Sequence, residues 1–180
     1  MNKTNLLKIT ILIIILSHTA VSFSKEKEAE IAVLENEIFK IEYPSDWRLD
    51  ESGNMGTSFI LFSPVDKVNE NFNTNINLII QDVSAYNITF DQYVELSEKQ
   101  IKTMINDSKI VFSDLVTTES NQYQKLIFTG KQGVSDLKFE QFYIMRGPKV
   151  YVLTLTCEKE EFDDFQQLGE KIMNSFQIKN

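Results

Sequence analysis

The chain has 180 residues, the length of one domain, and 42% of them are hydrophobic, so a sizeable core can be buried. Its formal net charge of −8 argues against nucleic acid and anionic membrane surfaces as partners, because both repel an acidic protein. Cys157 is the single cysteine, which excludes an internal disulfide and leaves burial to hold the domain together.

The first 24 residues read as a cleavable signal peptide. Lys3 and Lys8 supply a basic start, and Ile9 to Leu16 is apolar except for Thr10. Ser22-Phe23-Ser24 then sets small residues at the −3 and −1 positions of a cleavage site. The alternative is an uncleaved membrane anchor, but the apolar run is shorter than the roughly 20 residues a spanning helix needs, which favours a cleaved signal and no membrane span after cleavage. No cysteine follows the run to anchor a lipid. Cleavage removes His18, the only histidine. It also lowers the 18 basic residues to 16 against 26 acidic, a net charge of −10. Without histidine, and with one thiol, no transition-metal site or other cofactor is expected.

Residues 25–36 are charged and read as a tether or a frayed helix. The domain proper is placed at 37–180. Glu37 to Tyr43 alternates, with Phe39, Ile41 and Tyr43 on one face of a strand. Pro44-Ser45-Asp46 turns the chain before Trp47, which is read as capping the core at a strand end. Gly53 and Gly56 bracket a second turn, and Ser58 to Phe62 is a short strand apolar on both faces. Ser63 to Asn75 is rich in Asn and Asp, which favour turns, and reads as a long loop. Its Val65, Val68 and Phe72 have no evident core to enter and are the candidate partner-binding residues.

Ile76 to Val83 is the next strand. A helix follows over 89–106. Thr89 and Gln92 form a capping box there, and Ile88 and Tyr93 are spaced as a hydrophobic staple. Val94, Ile101, Met104 and Ile105 share its apolar face. Four strands are then expected at 110–118, 123–130, 138–145 and 149–157. Their connections are short, as in antiparallel hairpins. Val150-Tyr151-Val152-Leu153 is apolar on both faces, so that strand is covered on both sides. The last element, 160–176, reads as a helix with Phe162, Phe165, Ile172, Met173 and Phe176 on one face. Two helices and double-faced strands together predict an α+β fold, an α/β/α sandwich around a central antiparallel sheet.

Phe39-Lys-Ile-Glu-Tyr-Pro-Ser-Asp-Trp47 resembles the opening strand, turn and Trp of the PsbP-like family, shared by photosystem II extrinsic proteins and Mog-type nuclear import factors. Tyr151-Val-Leu-Thr-Leu-Thr-Cys157, then Phe162 and Ile172-Met-Asn-Ser-Phe176, resembles its closing strand and helix. The resemblance runs from Glu37 to Ile178 and suggests a bacterial exported member. It implies the family's fold and its habit of docking on larger assemblies without catalysis. The histidines of the photosystem members have no counterpart here, so no photosynthetic role is carried over.

The residues offer little chemistry. Cys157 lacks a histidine partner and reads as a small buried hydrophobe. Glu158, Glu160, Glu161, Asp163 and Asp164 are oxygen donors of the kind Ca²⁺ takes, but without a glycine-punctuated loop they read as a solvated helix start. Asn87-Ile-Thr89 and Asn106-Asp-Ser108 match a glycosylation pattern that carries little weight in a bacterial chain. No catalytic motif appears. The expectation is an exported, periplasmic or secreted binding or assembly module that docks on a cell-envelope protein. The alternative is a small-ligand carrier or a carboxylate-based enzyme with a cleft.

Overall fold

Apolar side chains on both faces of the central strands decide the architecture. A computed structural model describes residues 30–64, 72–118 and 122–179. The expected signal peptide, Val65, Val68 and the turn Ser120-Asn121 lie outside the described residues.

The strands are β1 (Ile31–Glu35), β2 (Phe39–Pro44), β3 (Arg48–Asp50), β4 (Phe59–Phe62), β5 (Asn75–Asp82), β6 (Asn106–Thr117), β7 (Gln122–Gln132), β8 (Ser135–Arg146), β9 (Lys149–Glu158) and β10 (Gln177–Ile178). The helices are α1 (Phe90–Met104) and α2 (Phe162–Asn174). Seven strands form one sheet in the order β3-β4-β5-β9-β8-β7-β6, and β1, β2 and β10 form a second. Every pairing is antiparallel.

The large sheet is covered on both faces, as the apolar runs require. Tyr151, Leu153, Leu155 and Cys157 of β9 join Ile76, Leu78, Phe142 and Ile144 in one core. That core is closed by Phe162, Ile172 and Met173 of α2, by Phe176 just beyond it, and by Phe39, Ile41 and Tyr43 of β2. Trp47 is buried in the same core, as its reading as a cap requires. On the other face Val150 and Val152 join Leu126, Phe128 and Tyr143 beneath Tyr93 and Ile101 of α1. The result is the α/β/α sandwich.

The capping box of α1 is present, with the Thr89 hydroxyl accepting from the Gln92 N–H and the Gln92 side chain accepting from the Thr89 N–H. Ile88 packs in the same core as Tyr93. Met104, expected on the buried face, is 78% exposed at the last residue of the helix. The chain drops straight into β6, four residues before the expected strand start. Ile105 fills the space that a Cβ on Gly130 would need, at 2.3 Å, so β7 carries no side chain there.

The stretch 25–36 needs correction: Ile31–Glu35 is a strand, not a tether or a frayed helix. It pairs with β2 from Ile31↔Pro44 to Glu35↔Lys40. The Asn36 side chain accepts from the Ile38 and Phe39 N–H groups and fixes the turn between them. The C-terminal helix is shorter than expected at both ends, and Phe176 reaches the core from outside it.

Candidate interaction surface

The residues singled out from sequence do not assemble into one site. Phe72 is half-buried beside the start of β5, while Val65 and Val68 fall outside the described residues. The base of that loop is tied, with the Ser63 N–H donating to the Thr74 carbonyl at 2.9 Å. Both residues are buried. Cys157 is fully buried, and burial pushes its thiol up to about 12, so it stays protonated at neutral pH. Of the acidic residues around α2, Asp163 is paired with Lys138 at 3.5 Å. The Lys138 ammonium also lies over the Phe162 ring at 4.0 Å from its centre, which ties the start of α2 to β8.

Three features were not anticipated. The first is a charged cluster under α2. Glu140 of β8 is 0% exposed, and Lys125 of β7 approaches its carboxylate at 2.9 Å. The same ammonium bonds Glu170 of α2 at 2.7 Å, and Gln166 donates to Glu170 at 2.9 Å. Neither Glu140 oxygen receives a well-directed hydrogen bond, so the contact with Lys125 is an ion pair at a poor angle. Burial raises the Glu140 carboxyl to about 7, against the pull of Lys125. Burial acts the same way on Glu170, but its bonds from Lys125 and Gln166 win and hold it below the usual range.

The second feature is a cleft between α1 and the sheet. It has a volume of about 300 Å³ and neutral walls that include Gln81, Tyr93, Gln141 and Thr154. Tyr93 donates to Gln81 at 2.6 Å, Tyr143 donates to Gln141, and Gln141 donates to Thr154 at 3.1 Å.

The third is a groove of about 450 Å³ between the small sheet and α2. Ile31, Tyr43 and Pro44 form one wall, and Leu168 and Ile172 the other. Glu42 and Lys171 stand beside them. Ile31 is 49% exposed and Leu168 36%, and Val33, also exposed, lies one strand step from Ile31. The Glu42 N–H donates to the Ser175 hydroxyl at 2.9 Å, and that hydroxyl donates to the Ile172 carbonyl at 2.6 Å, which ties the two walls together. Apolar side chains left in water beside a concave surface are the feature expected of a contact site.

Sequence held a signal for the first feature. Glu140 falls on the same strand face as the apolar Phe142 and Ile144, and Lys125 lies between Tyr123 and Ile127. Charges at inward positions of paired strands point to a buried ion pair. The groove had no such signal, because its exposed Ile31 comes from β1, whose pairing with β2 is set by the turn at Asn36.

An antiparallel seven-stranded sheet between two helices, with a small sheet beside one of them, is the PsbP-like fold, and solved structures match it. PsbP from the cyanobacterium Synechocystis aligns with a TM-score of 0.64 and 12% identity, over 88% of this chain and 98% of that one. LpqN, involved in cell envelope biogenesis of Mycobacterium tuberculosis, aligns at 0.58 and 13%, over 85% and 92%. The protein PA94 of Pseudomonas aeruginosa aligns at 0.58 and 15%, over 81% and 95%. At such identities the likeness is one of fold. No family model matches the chain, and no curated protein does. No helix among the described residues is long and apolar enough to cross a membrane.

Proposed function

We propose that the protein is an exported, non-catalytic binding module that docks on a cell-envelope protein through the groove between β1, β2 and α2. The groove carries this reading: it sets exposed Ile31 and Leu168 across a fixed gap sized for apolar side chains of a partner. Likeness in fold to LpqN supports an envelope setting. The signal peptide read over residues 1–24 supports export to the periplasm or beyond. The test is capture of the partner from the cell envelope by mature protein carrying Ile31→Glu with Leu168→Glu. Both positions are partly in water, so the melting temperature should hold while capture is lost. Undiminished capture by this variant refutes the groove. The loop 63–75, with Val65, Val68 and Phe72, is proposed as a second contact.

A small-ligand carrier is the alternative that one observation favours, the neutral cleft under α1. Such sites combine apolar walls with a few hydrogen-bonding groups. The carboxylate-enzyme reading has less support. Neither Glu140 nor Glu170 lines the groove or the cleft, and one lysine occupies both.

A further inference from the structure

We propose that Glu140 and Glu170 share one proton and the Lys125 ammonium, forming a pH-responsive latch that fixes α2 against the sheet. The geometry is the reason. Two carboxylates from different elements converge on one cation, at 2.9 and 2.7 Å, with Glu140 wholly out of water. With both ionised, the cluster holds two negative charges against one positive, and both Glu140 oxygens lack a directed donor. One proton removes both faults. Both carboxylates meet the one Lys125 ammonium and bear on each other's titration, so a proton on Glu140 can be offered to the Glu170 carboxylate. Lys125 and Glu170 are then a balanced pair. Proton loss to solvent leaves a net negative charge between α2 and the sheet.

Among the described residues, no second cation faces Glu140. Tyr123 and Lys125 face Glu140 from β7, Glu170 from α2 and Cys157 from β9. Lys138 follows two residues away on β8 and is engaged by Asp163 and the Phe162 ring. The neighbours of Glu140 across the ladder, Ile127 and Leu155, are apolar. Burial places the Glu140 transition near neutrality, so the latch works between mildly acidic and mildly alkaline conditions.

The sign follows from linkage. The folded chain holds the Glu140 proton between the unfolded carboxyl value, 4.5, and about 7, while the unfolded chain has released it. Stability from this group is therefore greatest in mild acid and falls as pH rises through that window. Glu170 belongs to the helix that also carries Leu168, Lys171, Ile172 and Ser175, so the latch sets how firmly that groove wall is held. The connection to docking rests on the groove reading, but the latch does not.

The test uses the whole mature chain without any partner, so it can fail or succeed independently of the groove. Carboxyl carbon NMR should give Glu140 a midpoint between pH 6 and 8, and a midpoint near 4.5 overturns the latch. Glu140→Gln imitates the protonated state. It should melt above wild type already at pH 5.5, and the gap should widen by roughly 4–8 °C by pH 8. Amide exchange, corrected for its intrinsic pH dependence, should loosen at residues 168–175 of wild type, relative to β9, on going from pH 5.5 to 8. It should not do so in Glu140→Gln. A variant that melts no higher than wild type at pH 8, or that loosens in α2 to the same degree, refutes the proposal.

Discussion

Gly169 is the one residue of α2 with no room for a side chain, and Gly169→Ala tests how that helix sits on the sheet. A Cβ there would lie 2.6 Å from one δ-methyl of Leu155 and 3.3 Å from the other. Ordinary carbon contacts are about 3.5–4.0 Å, so the nearer methyl must retreat by about 1 Å. Leu155 is fully buried on β9, the strand between β5 and β8, and has little space to retreat into. Overpacking of this kind costs about 1–3 kcal/mol. Alanine returns about 1 kcal/mol of helix propensity. The tightness of the contact puts the overpacking at the upper end, leaving a net loss of about 1–2 kcal/mol. For a domain of this size that is a fall of about 3–6 °C in melting temperature. Differential scanning calorimetry measures it directly. Pairing Gly169→Ala with Leu155→Val should cost less than the two single changes added together, because the smaller residue makes the missing room. A rise in melting temperature for Gly169→Ala, as at an open helical glycine, would refute the packing of α2 on β9.

Thr89→Ala removes one half of the α1 capping box and should cost about 1 kcal/mol in urea unfolding, with no change in slope. Lys125→Met strips the buried carboxylates of their cation. It should cost about 3 kcal/mol at pH 8 and clearly less at pH 5.5, where Glu140 can take a proton; equal losses at both values would contradict the assignment. Cys157 should resist a thiol reagent in the native state and react promptly in 6 M guanidinium, whereas fast native labelling would show that it is not sealed in the core. Shortening the loop between Ser63 and Thr74 should leave melting almost unchanged, because closure cost grows slowly with length and the loop base is hydrogen-bonded. Unchanged partner capture by that variant would remove Val65, Val68 and Phe72 from the docking surface.

The layered architecture was readable because its signals are periodic. The two-sided apolar run at Val150 to Leu153 required cover on both faces, and the structure puts α1 on one and α2 on the other. The α1 start was readable because Thr89 and Gln92 interact locally. What escaped depends on contacts between residues far apart in sequence. β1 looked like a tether because its charges suggested solvent, yet Ala32 and Leu34 face the core once Asn36 turns the chain. The cluster at Lys125, Glu140 and Glu170 needs the β7–β8 register and the seating of α2 together. Met104 was misplaced because helical periodicity does not say where the helix ends.

The central claim is that the groove between the small sheet and α2 is the face that meets a partner, and site-specific photo-crosslinking in the native cell tests it most directly. One variant carries the photoreactive residue at Leu168 in the groove wall. The control carries it at Val134, which is 94% exposed at the β7–β8 turn. The groove reading predicts a discrete cross-linked adduct from position 168, lost when Ile31→Glu is added, and none from position 134. Adducts of equal yield from both positions, or from position 134 alone, would contradict it.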